Sequence, residues 1–361
     1  MRRARSAIMR NPPSPGHELV SGRIARRSLL MGAVGAALAG RPGLGAAPDF
    51  APDLLTAARR RAAGLGQLHG LVVARAGRIA LAEAFRGPPL DRPINVKSVS
   101  KTIVASLAGA ALDRGILSGV DQPVTEVLGD LVPRDADPRV HRITVGDLLT
   151  MQAGLERTSG ANYGRWVESA SWIGFAFSRP FVAEPGARML YSTGSYHLLG
   201  AMLARAADRS LLALARDWLG DPLGIDFHPW TRDPQGYYLG GNNMVLSPID
   251  LLRFGELWRL GGSWDGRQVL SPGWVAASWT ARTYSPFSGD DYGYGWFLTR
   301  AGEHAVRYAR GYGGQMLFVV PSLELTVVVT SDPTRPATSE GHVGDLRALL
   351  AEAIVPAAEG A

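Results

Sequence analysis

A serine and a lysine three residues apart, Ser98 and Lys101 in the run Lys97-Ser98-Val99-Ser100-Lys101, carry the clearest chemical signal in the chain. On a helix, positions i and i+3 share a face, so the lysine amine reaches the serine hydroxyl. A hydroxyl is a weak nucleophile until a neighbouring base takes its proton. An amine serves as that base only if burial lowers its pKa toward neutrality, and the small and aliphatic residues from Ser98 to Arg114 offer such surroundings. At a helix start, free backbone N–H groups and the positive end of the helix dipole also face the reacting atom. An N-capping serine followed by a surface lysine has the same spelling, so the pair alone says little. Composition adds weight: the 361-residue chain has only two lysines, Lys97 and Lys101, and all its other basic residues are arginine. Arginine cannot be deprotonated and would be useless as a base at the i+3 position, where this arginine-rich chain places one of its two lysines. Lys97 reads as a solvated flanking residue.

Several elements must position this pair. Leu54 to Ala63 reads as a short helix, and the apolar runs Gly70–Arg75 and Arg78–Ala82 around Ala76-Gly77 read as a β-hairpin. The segment opened by Ser98 is apolar on nearly every face, which marks a helix buried all round. The chain then reads as mostly helical to about Leu260, broken by loops near Pro133–Pro138, Ser159–Tyr163, Pro185-Gly186 and His228–Gly241. Strands are predicted at Tyr294–Leu298, Met316–Val320 and Leu325–Thr330, and a closing helix at Val343–Ile354. The implied fold class is α/β of the α+β kind: an antiparallel sheet flanked by helices, about 47–97 and 260–361, joined to an all-helical region, about 98–259. A site in such an arrangement falls in the cleft between the two parts.

Further motifs follow in order: Ile143-Thr144-Val145-Gly146-Asp147-Leu148-Leu149-Thr150-Met151, Pro185-Gly186-Ala187-Arg188-Met189-Leu190-Tyr191-Ser192-Thr193, Tyr292-Gly293-Tyr294-Gly295-Trp296 and Gly311-Tyr312-Gly313-Gly314-Gln315. With the Ser-x-x-Lys motif before them, the chain resembles the serine β-lactamase family of the class C and penicillin-binding-protein type. It looks closest to the 6-aminohexanoate-dimer hydrolase and esterase branch. The resemblance implies Ser98, Lys101 and Tyr191 as catalytic residues, with the Tyr191 phenol, acidified by Lys101, passing a proton between Ser98 and the leaving group. It implies backbone N–H donors from Ser98 and Tyr312 for the oxyanion; a register shift of two would nominate Gly314 in place of Tyr312.

Two departures from the family pattern bear on the substrate. Where the family has Tyr-x-Asn this chain has Tyr191-Ser192-Thr193, and a hydroxyl lacks the donor and acceptor pair of an amide. Where it has Lys-Thr-Gly or His-x-Gly, this chain has Ala309-Arg310-Gly311, with no cation in register unless Arg310 bends in. Thr193, Asn243, Arg310, Gly311, Gly313 and Gly314 are the pocket candidates. Asn242 and Asn243 follow a Gly-Gly turn and read equally well as loop residues. The expected reaction is hydrolysis of an ester or amide of a small carboxylic acid through a Ser98 acyl-enzyme. A β-lactamase or D-amino-acid peptidase is the alternative, and a silent binder of penicillin or cell-wall fragments is a further one.

Cysteine is absent, which excludes disulfides, zinc thiolates and a Cys nucleophile. The seven histidines show no metal spacing, and neither a metal nor an organic cofactor is expected. The net charge of +6 lies in the first 46 residues, which hold eight arginines against Glu18, so no nucleic-acid partner is implied. Those residues, with Arg26-Arg27-Ser28-Leu29-Leu30 and a short apolar run, read as a twin-arginine signal peptide. The expected location is therefore periplasmic or secreted, with no stable membrane anchor once the signal is removed and 47–361 as a single domain. The partner expected is a small-molecule substrate; oligomeric state is open.

Overall fold

The computed structural model describes residues 50–360, so the segment read as a signal peptide, 1–46, lies outside the described residues. A hairpin opens the sheet. Strand β1 (Leu68–Arg75) is apolar and almost wholly buried, while β2 (Arg78–Ala84) alternates between exposed and half-buried positions. Between them Ala76 and Gly77 both take positive φ, +48° and +78°, the backbone of a tight hairpin turn that matches strand twist. Six strands come from the last quarter of the chain: β3 (Thr283–Ser285), β4 (Asp290–Tyr292), β5 (Phe297–Ala301), β6 (His304–Gly311), β7 (Gln315–Val320) and β8 (Leu325–Ser331). They form one antiparallel sheet in the order β2-β1-β8-β7-β6-β5-β4-β3, with Val72 opposite Val328 at the junction of the two chain ends.

Helix α1 (Pro52–Gly64) packs on β1 and on the terminal helix α6 (His342–Leu349), which runs on through a π turn to Glu359. Helix α5 (Pro248–Arg259) lies against β1, β7 and β8. Although the sequence reading put this segment in the helical part, its buried side, including Leu251, Leu252 and Phe254, belongs to the sheet layer. In the helical region, α2 (Val99–Asp113) buries every residue from Val99 to Ala111 and packs against α4 (Thr193–Ala206). The short α3 (Val145–Leu149), closed by a Thr144–Asp147 capping box, packs on α4 as well. Elsewhere the region is made of short helices joined by irregular chain, apart from the run Leu211–Leu223, which stays helical through a π turn. Among the described residues no helix is long and apolar enough to cross a membrane.

The predicted strand at Tyr294–Leu298 starts later, at Phe297, because Gly295 takes φ +77° and turns its carbonyl to the Thr102 hydroxyl, 2.7 Å away. Strand β6 was not anticipated. Its sequence, His-Ala-Val-Arg-Tyr-Ala-Arg-Gly, mixes charge into both faces, and only its place between β5 and β7 buries Val306, Tyr308 and Ala309.

Candidate active site

Ser98 stands immediately before α2, and its side chain makes no capping bond to that helix, which leaves the hydroxyl for other partners. Lys101 Nζ lies 2.9 Å from Ser98 Oγ. The amine also donates to the Gly241 carbonyl at 2.5 Å and to Thr193 Oγ1 at 3.3 Å. With its side chain enclosed, burial pulls the Lys101 pKa down from 10.5 to about 7. Gly241 brings its carbonyl this close because a Cβ there would stand 2.8 Å from the Thr193 carbonyl on α4. The preceding residue, Lys97, sits at φ +51°, and its N–H donates to Asn95 Oδ1 at 2.9 Å.

The α3 motif positions the tyrosine: Leu190 N–H donates to Met151 O at 2.7 Å, and Ser192 N–H contacts Met151 Sδ at 3.4 Å. The Tyr191 ring then lies 5.0 Å from Lys101 Nζ, and Tyr191 lines the same cleft as Ser98. Burial raises the phenol above its ordinary value, opposed by the neighbouring Ser98 hydroxyl and the Arg310 charge. This corrects the expectation of a phenol acidified by Lys101: an amine titrating near 7 supplies too little positive charge to offset the desolvation of a phenolate.

Gly311 ends β6 against the start of α2. A Cβ at this position would stand 2.5 Å from the Val96 carbonyl and 3.0 Å from Lys97 Cβ, so only glycine lets the strand edge approach the Ser98 segment. The next residue, Tyr312, exposes its side chain at the mouth of the cleft. Among the described residues neither Ser98 N–H nor Tyr312 N–H donates to a protein acceptor, which leaves both for a ligand oxygen. Arg310 does line the cleft, while its guanidinium donates to Ser339 Oγ at 2.9 Å and to the Ala337 carbonyl at 3.1 Å.

These groups share a cleft of about 500 Å³ lined by Ser98, Tyr191, Thr193, Arg310, Gly311 and Tyr312. Three pocket candidates fall outside it. Gly313 backs onto Asp332 and Pro333, Gly314 onto His342, and Asn243 is turned at φ +66° into the Asn95–Asn243–Thr231 hydrogen-bond chain that supports Lys97. Asn242 lines the cleft instead, its Nδ2 3.4 Å from the Tyr163 hydroxyl. Sequence reasoning also missed Ser159, which donates to or accepts from Thr193 Oγ1 at 3.0 Å, and the aromatic walls Phe287 and Phe297. Tyr191 packs against both rings, at 5.4 and 6.4 Å, and the two phenylalanines touch each other at 6.1 Å, so the three form a triangular cluster. Among the described residues no cluster of His, Cys, Asp or Glu is placed to hold a metal ion.

The model of the family described as Beta-lactamase matches residues 57–352. The chain belongs to the Beta-lactamase family. Among solved structures, this family member is similar to a protein of Bacillus anthracis assigned as a 6-aminohexanoate-dimer hydrolase (TM-score 0.68, 15% identity, 81% of this chain and 79% of the other). It is similar also to EstCE1, a hydrolase with promiscuous acyltransferase activity (TM-score 0.68, 22% identity, 84% and 98%). At these identities the likeness is one of fold, the antiparallel sheet with flanking helices expected from the sequence. A curated relative, the FimD fimbrial assembly protein of serogroup H1 from Dichelobacter nodosus, is 28% identical over 146 residues. That match spans 38% of this chain and 36% of the relative.

Proposed function

We propose that this Beta-lactamase family member is a serine hydrolase that cleaves esters or amides of small carboxylic acids through an acyl-enzyme on Ser98. The observation that carries this reading is the 2.9 Å contact between Ser98 Oγ and an enclosed Lys101 amine titrating near 7. Lys101 as free base takes the Ser98 proton as the hydroxyl attacks the carbonyl carbon. The Ser98 and Tyr312 N–H groups hold the tetrahedral oxyanion. Tyr191, a neutral phenol beside Ser98 in the cleft, passes the proton to the leaving oxygen or nitrogen as that bond breaks, and water then releases the acid. No cofactor enters this scheme. Export by the twin-arginine signal belongs to the same proposal.

Thr193 favours simple acyl groups over β-lactams. Its single hydroxyl already bonds Lys101 and Ser159, so it offers no amide to a penicillin side chain. A site that leaves substrate polar groups unpaired loses orders of magnitude in rate. A β-lactamase activity keeps one supporting observation, the presence of Arg310 in the cleft. The test is Ser98→Ala, which is expected to abolish p-nitrophenyl butyrate hydrolysis and covalent fluorophosphonate labelling with the melting temperature retained. On wild type, kcat/KM for the butyrate ester is expected to exceed that for nitrocefin. A fully active Ser98→Ala protein would end the reading of Ser98 as the nucleophile; a reversed substrate order would make the protein a β-lactamase.

A further inference from the structure

The cleft carries charge of one sign. Lys97 and Arg310 line it, no aspartate or glutamate among the described residues does, and much of the remaining wall is the rings of Tyr163, Tyr191, Phe287 and Phe297. Low-dielectric walls concentrate the field of such cations and reject a positively charged ligand that finds no counter-ion. The two cations are not equivalent. Arg310 is held by Ser339 and Ala337, so it adds field more than a free hydrogen-bonding fork. Lys97 has its Cβ against Gly311, beside the strand edge that leads to Tyr312, and is half-buried at the cleft wall. Its left-handed backbone, at φ +51°, is strained for a non-glycine residue and is held by the Asn95 bond. One of the two lysines in an arginine-rich chain is thus fixed in a strained conformation next to Ser98.

We propose that Lys97 forms an anion subsite, and that the preferred substrates are linear esters or amides bearing a free carboxylate besides the scissile bond. This rests on the hydrolase reading above. A lysine suits the task because its compact ammonium on a flexible stem follows a carboxylate on either the acyl or the leaving half of the substrate. The subsite does not restore the amide partner missing at Thr193, so it selects among linear substrates.

The experiment compares kcat/KM for p-nitrophenyl esters of similar acyl length: hexanoate (neutral), 6-aminohexanoate (cationic) and the adipate monoester (anionic). A second arm sets 4-butyryloxybenzoate against phenyl butyrate, which moves the carboxylate to the leaving half. At least one anionic arm should exceed its neutral partner by about 10-fold, and the cationic ester should fall below the neutral one, as expected for a charge-assisted contact. In Lys97→Glu the ratio of the favoured anionic ester to the cationic ester should drop by about 100-fold. Lys97→Gln should give an intermediate drop, and it serves if the Glu variant fails to fold. Ratios cancel any change in the shared acylation chemistry. Anionic esters no better than neutral ones, or ratios unmoved in both variants, would overturn the subsite. Ser98→Ala in the same assay separates the two readings: full turnover condemns Ser98 as the nucleophile, whereas a dead Ser98→Ala variant beside flat wild-type ratios condemns the subsite alone.

Discussion

Lys101 ties the chemistry of Ser98 to pH. The amine is active only as free base, so with its pKa near 7 the acid limb of kcat/KM on a neutral ester is expected near pH 7, activity falling as pH drops. Lys101→Arg should be as inactive as Lys101→Ala, since guanidinium stays protonated. The same shift is a stability term. Between about pH 7 and 10.5 the unfolded chain binds the proton that the folded chain has released, so stability rises with pH through that window and is lowest below it. Lys101→Met should remove this dependence and raise the melting temperature at pH 7, which differential scanning calorimetry across pH reads directly. For Tyr191→Phe, a fall in kcat on the order of 10²- to 10⁴-fold is expected, larger for poorer leaving groups. The Ser98–Lys101 pair was readable from motif spelling, with lysine scarcity marking Lys101, whereas Tyr191 entered only through the family resemblance. The sequence reading nominated Asn243 where Asn242 lines the cleft, because a positive φ at Asn243 decides which of the two amides faces it. Phe287 and Phe297 were silent, since lone aromatics have no spacing that separates a cleft wall from a core.

At the level of elements, the cleft depends on two close backbone approaches: β6 against the start of α2 at Gly311, and the 240–241 turn against α4. Gly311→Ala places a methyl 2.5 Å from the Val96 carbonyl and must push the strand edge, with Tyr312 N–H, away from Ser98. Its expected signature is a loss in kcat of about 10²- to 10³-fold, the scale of one lost oxyanion donor, with KM for a neutral ester changed less. An unchanged kcat would show that the oxyanion is held elsewhere. The hairpin, α1, α2 and the terminal helix were readable from apolar runs and turn residues. Strands β3 and β4, three residues each and rich in polar side chains, have too little pattern to declare themselves. They exist because β5 offers β4 an edge to pair with and Arg347 clamps Asp290 at 2.8 Å.

Across the whole molecule, the groups around Ser98 come from α2, the Tyr191–Thr193 segment, the Gly241 turn and the end of β6, so no single segment contains the site. The sequence conveyed two kinds of layer but not their boundary, because the apolar stripe of α5 is compatible with packing on helices or on a sheet. One contact fixes when the structure can be completed. Strand β1, near the start of the described chain, has β8 as one neighbour and only its own hairpin partner β2 as the other. On a ribosome adding roughly 5–20 residues per second, the 250 or so residues between them take on the order of tens of seconds to appear. During that interval the Leu71–Ala74 face of the hairpin has no sheet to join. Nascent chains of this protein therefore present a waiting, sticky edge to their neighbours on a polysome, and crowding of translating ribosomes becomes a hazard to yield that the finished, sealed sheet no longer faces.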